Sequence, residues 1–321
     1  MLDGAESRAT AVGREARSAH RTPLRLAPPG RPSLLLVVNE NASGLAGKRE
    51  TVDRAASLLR GYGARIETRW TASARELEEF VSEEERRIVL IGGDGTLHAV
   101  ANIQGHKPEV ALLPRGQANN IAHALGISPD LKWSAKLAVQ GITHPIDGIS
   151  VEAPELKMTA LEGVSVGFHA QARARYHGVN SADTTAGIAA ALSAFADFEP
   201  VSIALAIDGQ CELRRLGQLF VVNFPFFGPR LPVAPDADPG DGVLEVVELD
   251  SDRRASLAVK LGSLKRGTHL RRDGVRIQSA RQIRIATRGR SPVVADTIVL
   301  SSGPVELTVR PRAIHVVGPA R

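Results

Sequence analysis

The chain has 321 residues and a single cysteine, Cys211. One thiol cannot form an internal disulfide or a thiolate metal cluster, which excludes a secreted disulfide scaffold and a zinc ribbon. Aromatic residues make up only 4% and do not interleave with basic ones, so a single-stranded nucleic-acid partner is not expected. No apolar run approaches the roughly 20 residues of a membrane span. The best, residues 186–198, is short and contains Asp197. The arginines near the N-terminus have no apolar stretch behind them, so no secretory signal is expected. Lysine is scarce as well: seven of the 40 basic residues are lysine and the rest arginine.

Against these absences stand 43% hydrophobic residues and a mean hydropathy of −0.07. That is too apolar for a disordered chain, and the length favours two packed domains. Forty basic and 35 acidic residues give a net charge of +5, a surface suited to anionic partners such as nucleotides or acidic lipid headgroups. The expectation is a soluble, reduced, cytoplasmic protein.

Residues 1–32 lack periodicity, are rich in Arg, Ala and Pro, and close on Pro28-Pro29-Gly30-Arg31-Pro32, which predicts a disordered leader. From residue 33 the pattern becomes regular. Residues 34–38 are a continuous apolar run, as in a strand covered on both faces. A helix over 48–60 carries Val52, Ala55, Ala56 and Leu59 on one stripe. Ser73 and Glu76 form a capping box that opens the next helix. Strands over 64–70, 88–91 and 110–113 alternate with helices, predicting a parallel α/β sheet with ligands at the carboxyl ends of its strands. After a helix over 133–139, alternating segments dominate: 146–153, 159–167, 201–208, 211–223, 243–249, 281–287 and 293–300. Helical interruptions fall near 186–198 and 254–264. The predicted architecture is α/β: an N-terminal parallel-sheet nucleotide-binding domain over 33–145, and a mostly antiparallel β-sandwich domain over 146–321.

The sharpest motif is Gly92-Gly93-Asp94-Gly95-Thr96, directly after a buried strand and directly before a helix. Glycines let the backbone approach a phosphate closely, and the N–H groups of the helix start face the anion. No Gly-Lys-Ser/Thr follows, and His98 stands where a dinucleotide fingerprint needs its third glycine, so neither common phosphate loop is present. Asn39-Glu40-Asn41-Ala42-Ser43-Gly44 follows the first strand. Pro114-Arg115-Gly116-Gln117-Ala118-Asn119-Asn120 follows the fourth. Together the three loops outline one phosphate pocket.

These residues resemble the diacylglycerol kinase catalytic-domain family, which includes bacterial lipid kinases and sphingosine and ceramide kinases. The stretch Gly92 to Leu97 is similar to its nucleotide loop, and Asn39 to Gly44 to its N-P-x-A-S-G loop with Glu40 in place of proline. Residues 113–122 resemble its L-P-x-G-T-x-N-D-F-A segment, and residues 166–170 its G-F-D-A stretch. The resemblance runs from about residue 33 to 317. It implies ATP in the cleft between two domains, and transfer of the γ-phosphate to a diacylglycerol- or sphingoid-type lipid at the inner membrane surface, with a homodimer left open. It also implies roles for single residues. Asp94 would serve the nucleotide–Mg²⁺ centre. Asn39, Asn41, Ser43, Gly44, Thr71, Gly92, Gly93, Gly95, Thr96, Leu97, Gly116 and Gln117 would hold the nucleotide. A structural Mg²⁺ would sit at the Asp241 carboxylate with the backbone carbonyls of Asp238 and Val243, oxygen donors that suit a hard cation. Read without the resemblance, the same residues are a solvated acidic turn.

Several family carboxylates are missing. The catalytic base of the family lies in a D-G-E motif, and the matching residues are Asp296, Thr297 and Ile298. Asp296 is therefore the candidate base, with a turn aspartate as the alternative. Ala99, Gln117, Asn120 and His169 stand at further departures. Residues 186–198 either face acyl chains or form a core helix. Two rivals to the lipid kinase remain open: a nucleotide-binding relative with little or no kinase activity, acting as a lipid sensor, and a soluble-substrate kinase of the NAD kinase type.

Overall fold

The computed structural model describes residues 31–40, 49–105, 107–175, 184–289, 291–300 and 303–320. Almost all of the expected leader, together with Asn41, Ser43 and Gly44, lies outside the described residues. The first apolar run becomes β1 (Ser33–Asn39), followed by α1 (Arg49–Gly61), β2 (Arg65–Thr71), α2 (Ala74–Val81), β3 (Arg87–Gly92), α3 (Asp94–Asn102) and β4 (Glu109–Pro114). The strands pair in parallel in the order β2-β1-β3-β4. Leu34 to Val38 are all within 1% of full burial, because helices cover both faces of a parallel sheet. Leu77, Val81, Leu97 and Val100 pack on one side. On the other, Val52, Ala55 and Leu59 pack with Ala135 and Ala138. The Ser73 cap forms as expected, its Oγ accepting the Glu76 amide at 3.2 Å.

Next come α4 (Asn120–Ala124), α5 (Leu131–Gln140), β5 (Ile142–Ala153), β6 (Leu156–Ala160), β7 (Gly163–Gly167), α6 (Phe168–Arg175) and α7 (Thr184–Ala196). The remaining elements are β8 (Val201–Ile207), β9 (Gln210–Leu216), β10 (Gln218–Val222), β11 (Phe226–Phe227), β12 (Leu231–Pro232), β13 (Leu244–Leu249), α8 (Arg254–Lys265), β14 (Val275–Ala280), β15 (Gln282–Thr287), β16 (Val293–Ala295), β17 (Ile298–Leu300) and β18 (Pro304–Gly318). One antiparallel sheet runs β14-β13-β10-β7-β16-β17. It faces the strands β5, β18, β15 and β8 of the larger sheet. Val164, Val221, Val246 and Val293 meet Val151, Leu205, Ile285 and Leu307 between the layers. This is the expected β-sandwich.

Three segments that read as single strands are each two. The chain leaves one sheet for the other between β6 and β7, and again at Gly217 between β9 and β10. A Cβ on Gly217 would lie 2.7 Å from the Ser251 side chain, so only glycine fits that crossing. Residues 293–300 fold back as a hairpin at Asp296-Thr297. β14 and β18 fall outside the alternating segments of the sequence. β18 contains Pro311, which cannot donate to a ladder, yet the strand continues because its register shifts between Arg310 and Ile314. Its end pairs in parallel with β4 and its start antiparallel with β15. The last strand therefore joins the sheets of both halves. No helix among the described residues is long and apolar enough to cross a membrane.

Candidate active site

The glycine loop packs against the loop after β4. A Cβ on Gly93 would sit 2.8 Å from Gly116 Cα, and one on Gly116 would sit 2.6 Å from Gly93 Cα. Two backbones in direct contact leave no room for side chains, which accounts for both glycines. Asn119 locks the second loop: its Oδ1 accepts the Gly116 amide at 2.9 Å and its Nδ2 donates to the Gly116 carbonyl at 2.8 Å. Asn39 Nδ2 donates to Thr96 Oγ1 at 3.2 Å, tying the end of β1 to the start of α3. The carboxylate of Asp94 accepts the amides of Asn120 and Ile121, at 2.9 and 3.2 Å, at the start of α4.

These loops form one wall of a cavity of about 500 Å³. Asn39, Gly93 to Thr96, Gly116, Gln117 and Asn120 line that wall. The second half supplies the opposite one: Glu162, His169 and Arg173, residues 227–229, and Asp296. Asp296 lies in the β16–β17 turn with a left-handed φ of 49°, a conformation aspartate tolerates. Its carboxylate accepts three amides, those of Leu161, Glu162 and Gly163, at 2.8 to 2.9 Å. His98 Nε2 approaches it at 3.7 Å. Asn120 is 1% exposed, and its Nδ2 donates both to Glu162 Oε2 at 2.7 Å and to the Gly228 carbonyl at 2.8 Å.

Three carboxylates thus face one cavity, and the environment acts on their protons. Burial pushes the Asp94 carboxyl up, its two amide bonds oppose this, and the Asp296 charge adds to it. Glu162 is raised well above the usual range, first by burial and then by the charges of Asp94 and Asp296. Burial and the neighbouring Arg173 push the His169 imidazole down to about 4. It is therefore neutral near pH 7, with Nδ1 at 2.8 Å from Ser165 Oγ. Opposed proton affinities in one cleft mark functional sites more often than chance.

Residues 33–151 match the family model of the diacylglycerol kinase catalytic domain. Residues 162–318 match that of the YegS C-terminal NAD kinase beta sandwich-like domain. The chain is thus similar to a diacylglycerol kinase catalytic domain in its first part and to the YegS sandwich domain in its second, each match covering less than half of it. A relative from Shewanella frigidimarina, named probable lipid kinase YegS-like, is 27% identical over 86% of this chain and 92% of its own length. One of the same name from Stenotrophomonas maltophilia is 33% identical over 44% of this chain and 48% of its own. The crystal structure of a diacylglycerol kinase from Bacillus anthracis superposes with a TM-score of 0.68 at 18% identity, over 91% of this chain and 98% of that one.

Within this family pattern the site departs in identifiable ways. Thr71 is 2% exposed, and its hydroxyl donates to the Ser73 carbonyl at 2.8 Å; it is not part of the cavity wall. Leu97 belongs to the core beneath β3, because its side chain points from α3 into the sheet. Ile298, where the family pattern has glutamate, borders a separate cavity of about 540 Å³ with His98 and Ala99. Asp238 Oδ1 accepts the Gly240 amide and Asp241 Oδ1 the Val243 amide. Asp147 holds the same turn through the amides of Gly242 and Arg312. No group of three or more His, Cys, Asp or Glu side chains that could hold a metal occurs among the described residues. The Asp238 and Asp241 carboxylates thus brace the backbone of their own turn. Glu162 carried no motif. The available signal was a lone acid inside the apolar stretch 158–168.

Proposed function

We propose that this lipid kinase transfers the γ-phosphate of ATP, bound as its Mg²⁺ complex, to the hydroxyl of a diacylglycerol- or sphingoid-type lipid at a membrane surface. The observation that carries the reading is the cavity itself. It joins a backbone-lined glycine loop, suited to phosphates, to carboxylates suited to accept a proton. In this reading the amides of Gly93 to Thr96 and of the Gly116 loop receive the phosphates. Arg173 stands on the opposite wall to meet the charge that develops on the transferred group. Asp94 holds the start of α4, and so the loop after β4, against the glycine loop.

The lipid side of the reading is supported by α7, whose Ile188 and Leu192 are 56% and 65% exposed. They lie one turn apart on a helix anchored by Ala190 and Ala194, with Phe198 buried just beyond its end. α7 packs on α6, which carries His169 and Arg173 into the cavity, with Phe195 edge-on to Phe168 at 6.2 Å. The test is the full chain with γ-labelled ATP and vesicles carrying either diacylglycerol or a sphingoid base, beside soluble NAD. Label in a lipid is the expected result. Label in NAD alone, or in nothing while ATP still binds, would replace this reading with one of its rivals.

A further inference from the structure

We propose that Glu162 is the proton acceptor of the transfer, in the role that the family pattern assigns to position 298. The inference rests on the kinase reading above and names the group that performs its proton step. Position 298 cannot act, because isoleucine has no acceptor and its side chain borders the other cavity. Asp296 already uses both carboxylate oxygens on the amides of residues 161–163. Those bonds fix the crossing between β6 and β7, the stretch that presents Glu162. Asp296 is thus a positioning residue, and the side chain it positions is the glutamate.

Glu162 has the geometry of a base. It lines the same cavity as the glycine loop. One oxygen, Oε2, is oriented by the buried Asn120 amide at 2.7 Å. Asn120 is itself fixed, by Asp94 at its backbone and by the Gly228 carbonyl at its side chain. Oε1 accepts no hydrogen bond from the described residues. In the step, a lone pair of the lipid hydroxyl oxygen attacks the γ-phosphorus. The bond from that phosphorus to the β,γ-bridging oxygen breaks, and its electron pair leaves with ADP. The hydroxyl proton passes to Glu162. Burial and the charges of Asp94 and Asp296 raise its proton affinity, which matches a base to an alcohol proton better than an ordinary carboxylate would.

The test is E162Q in the full chain, with E162D as the conservative variant. Glutamine keeps an oxygen for Asn120 and removes the acceptor. E162Q should lower kcat roughly 10²-fold or more with KM for ATP unchanged. Activity of the wild type should rise with pH along a limb above the usual carboxylate range; E162D should keep that limb at reduced kcat, and E162Q should lose it. Wild-type kcat with the same limb in E162Q would overturn the assignment and leave the kinase reading standing. A second measurement needs no lipid. A carboxyl raised in the fold favours the native state at acid pH, and that contribution is lost as pH rises through its folded value. E162Q should therefore melt higher than wild type above neutrality, with the difference closing towards pH 4. No difference at any pH would overturn the proposal whatever the kinase assay shows. The expected melting behaviour with no transfer to any lipid would instead sink the kinase reading, and this role with it.

Discussion

At the scale of single residues, the glycine loop separates two reasons for a missing side chain. Gly93 is glycine because another backbone lies against it, since a Cβ would meet Gly116 Cα at 2.8 Å. Gly95 has nothing within 4 Å of where a Cβ would stand, yet it lines the cavity. The protein alone therefore does not require glycine at 95; an approaching phosphate would. Gly93→Ala should cost roughly 1–3 kcal/mol of stability, the range for forced overpacking. Gly95→Ala sits inside α3 and should hold or gain stability by up to about 1 kcal/mol, while weakening ATP binding. Thermal melts and an ATP titration on the two variants separate these effects. Wild-type ATP affinity in Gly95→Ala would remove the phosphates from this loop.

At the scale of elements, α7 presents an apolar face that packing among the described residues does not use. Its Ala190 and Ala194 side is buried, which the sequence alternative of a core helix captured in part. The Ile188 and Leu192 side is open. Transferring a side chain of this size from water to an apolar phase is worth about 1.5–3 kcal/mol. The double variant Ile188→Glu, Leu192→Glu should therefore reduce vesicle binding by tenfold or more. Exposed substitutions of this kind change stability by only about 0.5 kcal/mol, so its melting temperature should stay close to wild type. Vesicle sedimentation with the melt as control checks both. Unchanged sedimentation would show that another surface meets the lipid.

At the scale of the whole molecule, β18 decides how the halves behave. Residues 315–317 pair with β4, residues 304–308 pair with β15, and the strand lies along β5 for most of its length. Ala313, Ile314, Val316 and Val317 are all within 2% of full burial. Removing residues 313–320 would strip a central strand from the parallel sheet and expose its apolar core. Such a truncation should yield no soluble folded protein, and the intact chain should unfold in a single calorimetric transition. Two resolved transitions would show that the halves are energetically separate despite the shared strand.

The parts of this protein written in its sequence are those with a local cause. Residues 34–38 read as a doubly covered strand, Ser73 and Glu76 read as a capping box, and the glycine loop stood out because strand, glycines and helix follow one another within a few positions. The parts that escaped depend on contacts far apart in the chain. Residues 159–167 and 211–223 each read as one strand-like segment, and nothing in their local pattern places the change of sheet part-way along them. Pro311 hides β18, since only the register shift in the folded ladder shows how the proline is accommodated. Thr71 and Leu97 match family positions in the sequence, but their side chains follow the local sheet and core. Glu162 has no neighbours in sequence that mark it. Asp296 fixes its backbone from 134 residues away and Asn120 its carboxylate from 42. Its raised proton affinity exists only once burial and two further carboxylates surround it.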